Sequence, residues 1–231
     1  YSYYSRIIIF LYFEYYFQLK QYKKAHQYYL LLRPELESFL LYNHSALPTK
    51  LLLSSTAFLA ITDQLNLLEE DVSTIKDKYT PEKYDNFSFI NFQLYIAAYQ
   101  LYQKKYNEAA GHLNNIMNEV SLKHYPHAEI ESKLFLALVY TIEDKVGQAE
   151  SVIRSVTRKI KDLNEDGSYE NGMIFIKLLK TFHSSSKKAD HEKLTKLLNK
   201  FNNFNNHNHF ALLKFLNLDD SFIDSLVKKL K

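Results

Sequence analysis

The chain has 231 residues, of which 46% are hydrophobic and 24% charged, and its formal net charge is +3. This composition is typical of a globular protein, and the small net charge is well short of a nucleic-acid-binding signature. The absence of cysteine excludes disulfides and thiolate metal sites. Four glycines and four prolines are too few to supply the turns of a many-stranded sheet.

The first predicted helix covers residues 2–19 and is unusually rich in aromatic residues. Its apolar run at residues 7–13 is too short to span a bilayer. No small-residue cleavage site follows the run, as a signal peptide would require. We therefore expect a cytoplasmic protein without membrane insertion. We also expect the chain to be a fragment of a longer protein, with other domains, whose first helix packs against an earlier helix.

A turn at residues 20–23 separates this helix from a second apolar stripe. Pro34 then allows at most a break or a fresh helix start, and a short helical turn is expected at residues 35–42. Residues 48–63 and 65–79 are predicted to form the next two helices. Because the turn between them is weakly marked, one long bent helix over residues 48–79 is an alternative.

The stretch from Phe92 to Val120 predicts two short helices folded back on each other. Thr80 and Pro81 have the pattern of an N-cap followed by proline in the first turn, so we expect the first helix to start there. Ala97 and other small residues allow the two helix backbones to approach closely. A pair of this kind cannot bury both of its apolar faces alone, so it needs similar pairs on either side.

Similar helices are predicted in the rest of the chain, and polar loops separate them at residues 164–167, 184–188 and 202–209. The predicted helices and stripes cover residues 129–142, 149–160, 169–182, 192–201, 211–216 and 221–230. Phe215, Leu216, Phe222, Ile223, Leu226 and Leu230 are the apolar residues of the last pair. This pair either caps the last repeat, as the end of a solenoid requires, or forms an interface.

The predicted turns recur at a nearly constant period. The predicted second helices start at Tyr22, Leu65, Tyr106, Val146 and His191, and successive starts are separated by 43, 41, 40 and 45 residues. The positions three, seven and ten residues further on are apolar in every case. They are Ala25, Leu68, Ala109, Ala149 and Leu194; Tyr29, Val72, Leu113, Ile153 and Leu198; and Leu32, Ile75, Ile116, Val156 and Phe201. We predict an all-α protein, an α-solenoid of about five antiparallel helical hairpins with a C-terminal capping helix pair.

The chain resembles the tetratricopeptide-repeat (TPR) family, in a long-period form similar to repeats of some bacterial regulators and adaptors. The matching pattern is Tyr-x-x-Ala-x-x-x-hydrophobic, found at Tyr22/Ala25/Tyr29, Tyr106/Ala109/Leu113 and, more weakly, Val146/Ala149/Ile153. It is clear over residues 5–160, and residues 161–231 are expected to be a degenerate repeat and capping helices of the same domain. The period exceeds the 34 residues of the standard motif, so HEAT-type repeats are the alternative architecture.

The resemblance implies a right-handed superhelix that binds a protein or peptide on its concave face. Because the sequence has no catalytic arrangement of residues, we do not expect an enzyme. The first helix of each pair lines that face. By register, the candidate partner-binding residues are Phe10, Glu14, Phe17, Asn91, Leu94, Ala98, Tyr102, Glu131 and Leu138. The competing interpretation is that these side chains pack on neighbouring repeats. A second functional hypothesis is a ligand- or peptide-sensing segment of a bacterial transcription or signalling regulator.

The sequence predicts no catalytic, metal or cofactor site. The pairs His124/His127 and His207/His209 lie in polar loops, without the further ligands that a metal ion needs. The glycines are too widely spaced for a phosphate-binding loop. The basic residues between positions 154 and 180 are less dense than a phosphate-binding surface usually requires, so no nucleic-acid partner is expected.

Overall fold

The computed structural model describes residues 2–42, 45–82, 84–163, 167–184 and 190–228. The described residues form helices joined by turns and contain no β-strand, which confirms the predicted all-α class. The chain separates into two compact units, residues 1–103 and 104–231, and each is described by itself. Of the polar loops predicted at residues 164–167 and 184–188, residues 164–166 and 185–188 lie outside what the structure describes, as do Leu230 and the side chain of Leu226.

Unit 1 is built on a first helix that packs against its successor and against a later helix. Its helices are α1 (Tyr3–Gln18), α2 (Tyr22–Leu32), α3 (Leu36–Leu40), α4 (Leu47–Ile61), α5 (Leu65–Ile75) and α6 (Asn86–Tyr102). Helix α1 packs against α2 and α4, and α6 packs against α4 and α5. Pro34 lies in a 3₁₀ turn between α2 and α3, which confirms the predicted break and short helical turn.

The predicted start of the next helix at Thr80 is wrong, because α6 begins at Asn86. Its N-cap is Asp85, whose carboxylate accepts a hydrogen bond of 3.0 Å from the backbone N–H of Ser88. Aspartate is a better N-cap than threonine, and its charge also interacts favourably with the helix dipole. The Pro81 pattern therefore lies upstream of the helix.

Unit 2 continues with longer helices in the same alternation. They are α7 (Tyr106–Glu119), α8 (Pro126–Ile142), α9 (Val146–Leu163), α10 (Glu170–Ser184), α11 (Asp190–Asn206) and α12 (Asp220–Lys228). Helix α8 packs against α7, α9 and α10, and α11 packs against α10 and α12. Helix α8, the first helix of its pair, is therefore covered on several sides and lies in the core of this unit.

The helix predicted at residues 211–216 is absent, so the expected capping pair consists of one helix, α12, after an irregular segment. The Asn205 carboxamide bonds both backbone groups of Leu212, at 2.7 and 2.8 Å. Leu213 has a positive φ of 56°, and its N–H donates to the carboxylate of Glu131 at 2.7 Å. These side chains satisfy the backbone groups that a helix would otherwise pair internally.

The turns confirm the predicted register in backbone geometry. In each of four turns one residue has a left-handed φ of 56–60°, and these residues are Lys20, Asp63, Lys104 and Asp144. In three of these turns the next residue donates its N–H back to the last turn of the helix, with bonds of 2.8–2.9 Å at Gln21–Tyr16, Gln64–Leu59 and Lys145–Tyr140. This is the Schellman arrangement. The turn at Asp63, between α4 and α5, also excludes the alternative of one long bent helix over residues 48–79.

The predicted apolar positions of the second helices are all in the core. The residues three, seven and ten positions beyond Tyr22, Leu65, Tyr106, Val146 and His191 have exposed fractions of 0–3%. Alanine occupies the first of these positions in three helices, where a larger side chain would keep the backbones apart. The stripe is therefore the face by which each second helix packs.

Replacing Lys20 by glycine is expected to raise the free energy of unfolding by about 0.5–1 kcal/mol. A left-handed φ costs an L-residue roughly 1–2 kcal/mol, and glycine removes this strain. Part of the gain in stability is offset because glycine has more conformational freedom in the unfolded chain. Gln27→Gly, at an exposed position inside α2, is the control and should destabilise by about 1 kcal/mol. Urea unfolding of both variants tests this, and a loss at Lys20 equal to that at Gln27 would contradict it.

Candidate interaction surface

Helix α1 carries apolar side chains on two opposite faces. Its N-cap is Ser2, whose hydroxyl accepts a hydrogen bond of 3.3 Å from the backbone N–H of Ser5. A surface helix of a globular protein normally has one apolar stripe and one polar face. The second stripe of α1 therefore needs an explanation that its own fold does not provide.

The inner face of α1 belongs to the core of unit 1. Phe10 and Phe13 have exposed fractions of 1% and 0%. The Phe13 ring lies 5.4 Å from the ring of Phe58 on α4 and 6.2 Å from Tyr29 on α2. Full burial of one such ring contributes roughly 1.5–3 kcal/mol, so this face holds α1 in place.

The outer face of α1 is exposed to solvent. Its stripe has exposed fractions of 50–74% and consists of Tyr4, Ile8, Leu11, Tyr15 and Leu19. Spacings of four, three, four and four residues place these side chains on one side of a helix. An open groove of about 510 Å³ runs along it, lined by Ile8, Leu11, Tyr12 and Tyr15. We call these four lining residues, together with Tyr4 and Leu19, the outer face of α1.

Contacts to α2 fix one edge of this face. Tyr12 and Tyr16 both stack on Tyr28, with ring centroids 5.1 and 5.4 Å apart. The Nζ of Lys24 lies 5.0 Å from the centre of the Tyr16 ring, at a distance where a cation is attracted to the ring. The aromatic edge is therefore held before any partner binds, which lowers the entropy cost of binding.

The two charged side chains of α1, Arg6 and Glu14, lie outside the outer face. The Arg6 guanidinium forms an ion pair of 2.8 Å with Glu35, and this hydrogen bond lowers the pKa of the Glu35 carboxyl. Glu14 accepts a hydrogen bond of 3.4 Å from Gln18 through one oxygen. Its other carboxylate oxygen is shielded from solvent and has no hydrogen-bond partner among the described residues. A donor from a bound molecule could satisfy it.

Single exposed apolar side chains are common and need no explanation, whereas a contiguous exposed stripe usually marks an interaction site. Tyrosine is also enriched at interfaces, because its ring is large and rigid and its hydroxyl can hydrogen-bond. The outer face of α1 meets both criteria.

Several of the predicted partner-binding residues are buried in the chain itself. Exposed fractions of 0–1% are found for Phe10, Leu94, Ala98 and Leu138. These side chains present no surface to a partner in this conformation, since neighbouring helices already cover them. The binding role assigned to the whole set stays a prediction, and it depends on the members that remain accessible.

The remaining members of the set are partly exposed: Glu14, Phe17, Asn91, Tyr102 and Glu131. Asn91 on α6 donates a hydrogen bond of 3.3 Å to the hydroxyl of Thr49, and Tyr102 packs against the core of unit 1. In unit 1, Glu14, Phe17, Asn91 and Tyr102 are therefore partly accessible to a partner, although they also contact other residues of the chain.

Glu131 in unit 2 holds the irregular segment that precedes α12. Its carboxylate accepts the Leu213 N–H, and burial raises its pKa to about 7, against the opposing effect of that hydrogen bond. Glu131, which is predicted to face a partner, therefore binds the protein's own backbone.

An aromatic cluster lies in the same unit. It is formed by Tyr169, Phe210 and His127, with ring centroids 5.2–6.1 Å apart.

The buried carboxylate of unit 1 also has partners within the protein. Asp71 on α5 is 5% exposed and accepts hydrogen bonds from the Tyr29 hydroxyl and, at 2.7 Å, from the Arg33 guanidinium. Burial raises the pKa of Asp71, although both hydrogen bonds oppose this. Because its hydrogen bonds join α5 to α2 and to the turn that follows α2, this group stabilises the fold.

Comparisons with known proteins give no relative for this chain: no family model, no curated protein and no solved structure matches it. Within the part of the chain that the structure describes, no helix is long and apolar enough to cross a membrane. Nor do the described residues include a group of three or more His, Cys, Asp or Glu side chains that could hold a metal ion.

The outer face of α1 is absent from the predicted partner-binding residues, except that its helix supplies three of them, although the sequence contains a signal for it. The spacing from Tyr4 through Ile8, Leu11 and Tyr15 to Leu19 is as regular as that of the inner face. Two complete apolar stripes on one short helix predict that two different surfaces cover it. Only one of those surfaces comes from the described part of this chain.

Glu131→Gln is expected to remove a pH dependence of stability. The folded pKa of about 7 lies above the usual 4.5, so the folded state binds more protons between these values, and stability falls as pH rises through this range. The free energy of unfolding should change by about 2 kcal/mol over this range. This is less than the full pKa shift implies, because part of the side chain remains solvent-accessible. Glutamine keeps the acceptor for Leu213 without ionising.

Urea unfolding at pH 5 and pH 8 measures this effect. Wild type and Glu131→Gln should be equally stable at pH 5, and the variant more stable at pH 8. Burial lowers the pKa of His127, which contributes in the opposite direction in both proteins and cancels in the difference. An equal difference at the two pH values would contradict the prediction.

Proposed function

We propose that the protein is a protein-interaction module made of TPR-like helical hairpins, and that it binds a protein or peptide partner without catalysing a reaction. The observation that carries the proposal is the outer face of α1, an exposed apolar stripe that the fold of the described chain does not use. The sequence also contains no recognisable catalytic pattern.

The TPR-like part of the proposal is supported by the regularity of the hairpins. Four turns share one backbone conformation at periods of 43, 41 and 40 residues, and the packing stripes of the second helices are buried at the predicted positions. The superhelix and its concave groove follow from the same proposal. Within unit 1 the accessible candidates for that groove are Glu14, Phe17, Asn91 and Tyr102, whereas Glu131 in unit 2 is bonded to the backbone of Leu213.

The chemistry of the outer face favours a partner with an apolar contact surface. Each aliphatic or aromatic side chain that a partner buries contributes roughly 1.5–3 kcal/mol before the cost of association. The Tyr12 and Tyr15 hydroxyls add hydrogen bonds at the edge of the contact. Because no charged side chain lies within the stripe, binding should depend little on salt, unlike binding to nucleic acid.

Paired substitutions test the proposed function. Leu11→Glu with Tyr15→Glu places two charges in the outer face and should weaken partner capture at least tenfold, because a charge buried without a partner is costly. The matched control is Leu30→Glu with Leu31→Glu on α2, where the exposed fractions are 44% and 46%. This control should capture the partner as the wild type does.

The measurement is quantitative pull-down from an extract of the source organism at 0.1 and 0.5 M NaCl, with circular dichroism to show that all variants are folded. Equal capture by the wild type and the α1 variant would refute the role of the outer face. If Asn91→Ala with Tyr102→Ala abolished capture instead, the partner would occupy the predicted concave groove.

A further inference from the structure

We infer that the outer face of α1 binds a helical hairpin of a partner protein, in the way that α1 and α2 together cover α4. This inference rests on the proposed function and specifies the kind of partner. It comes from comparing α1 with the other first helices at equivalent positions.

The first helices can be aligned by counting back from Tyr22, Leu65, Tyr106 and Val146. The positions of Ile8, Leu11, Tyr12 and Tyr15 are then occupied by Leu51, Ser54, Ser55 and Phe58 on α4; by Phe92, Tyr95, Ile96 and Tyr99 on α6; and by Ser132, Phe135, Leu136 and Val139 on α8. On α4, α6 and α8 these positions are buried, except for the half-buried Ser54 and Tyr99. On α1 they are 46–56% exposed.

The contacts of Phe58 show what covers this face on α4. Its ring lies 5.4 and 5.7 Å from Phe13 and Phe17 of α1, and 6.1 and 5.9 Å from His26 and Tyr29 of α2. Both helices of the preceding hairpin therefore contribute to the cover. A single helix would supply only half of these contacts, which favours a hairpin as the occupant of the equivalent face on α1.

The same arrangement recurs one helix later in unit 1. Helix α6 packs against both α4 and α5, and the ring of Phe92 lies 5.3 Å from Tyr79, which follows α5. On α8, in unit 2, Phe135 instead contacts Phe215 of the irregular segment, at 5.5 Å. Cover by two elements is thus common to these first helices, and a preceding helix pair provides it in unit 1.

A second copy of this chain does not offer such a hairpin at its C-terminal end. The last hairpin, α10 and α11, is already covered by the segment before α12 and by α12 itself. Asn202 on α11 donates to the Leu218 carbonyl at 2.9 Å, His191 lies 2.8 Å from Asp224, and Ile223 is fully buried. A head-to-tail pair of copies would have to displace these contacts, which argues against a second copy of this chain and favours a partner protein as the source of the hairpin.

The partner hairpin should carry the same chemistry as the internal cover. We expect aromatic residues on its first helix, as at Phe13 and Phe17, and a small residue followed by large apolar ones on its second, as at Ala25 and Tyr29. Such a surface can enclose Tyr15 as Phe58 is enclosed. Acceptors at its edge would pair with the tyrosine hydroxyls.

Site-specific photo-crosslinking tests this inference. The photoreactive residue p-benzoylphenylalanine is placed in the full chain at Leu11 or Tyr15, and at Leu30 as the control. After irradiation in an extract of the source organism, mass spectrometry identifies the crosslinked peptides. We expect crosslinks at positions 11 and 15 to map to two adjacent segments of one partner, each with apolar residues at helical spacing, and none of these crosslinks at position 30.

Other outcomes overturn the inference and are distinguishable from failure of the proposed function. Crosslinks to a single extended segment would leave the interaction module intact but refute the hairpin. Crosslinks to this chain itself, with dimerisation in sedimentation velocity that Leu11→Glu abolishes, would identify a second copy instead. Absence of any crosslink, together with unchanged capture by the charged variants, would refute both.

Discussion

A pair of short helices cannot cover apolar residues on both of its sides, and the structure depends on each pair being covered by another element. In unit 1 the ring of Phe58 on α4 is enclosed by rings from both α1 and α2. In unit 2 α8 packs against α7, α9 and α10. The left-handed residue in each turn, such as Lys20, sets where the returning helix begins and so which residues it buries. Helix α1 is different, because its inner face is covered and its outer face is not.

Much of this arrangement could be predicted from the sequence, because it depends on local spacing. The turn before Leu65 is weakly marked, yet Leu68 lies at the position that Ala25 has in the first pair, and both are buried. The C-terminal segment could not be predicted in this way. Its conformation depends on Glu131, which is 82 positions from Leu213, and on Asn205. An apolar pattern does not show that distant polar side chains will pair with the backbone.

The candidate surface was harder to predict than the fold, for a physical reason. Periodicity shows which residues share a face of a helix, but not which face remains uncovered after folding. Phe10 and Leu94 were assigned to a binding face by register, and both are buried. Ile8 and Leu11 look similar in the sequence and are exposed. Exposure is decided by the neighbouring helices, so only the folded structure shows that the second stripe of α1 remains exposed.

We expect the outer face of α1, apart from the edge residue Tyr12 that stacks on Tyr28, to contribute nothing to the fold of this chain. The test is the free energy of unfolding of Leu11→Lys with Tyr15→Lys, compared with that of Phe58→Ala at the position equivalent to Tyr15. The α1 variant should stay within about 0.5 kcal/mol of the wild type, as exposed positions do. Phe58→Ala should lose about 3–5 kcal/mol. A loss of more than about 2 kcal/mol in the α1 variant would instead show that the chain itself buries this face.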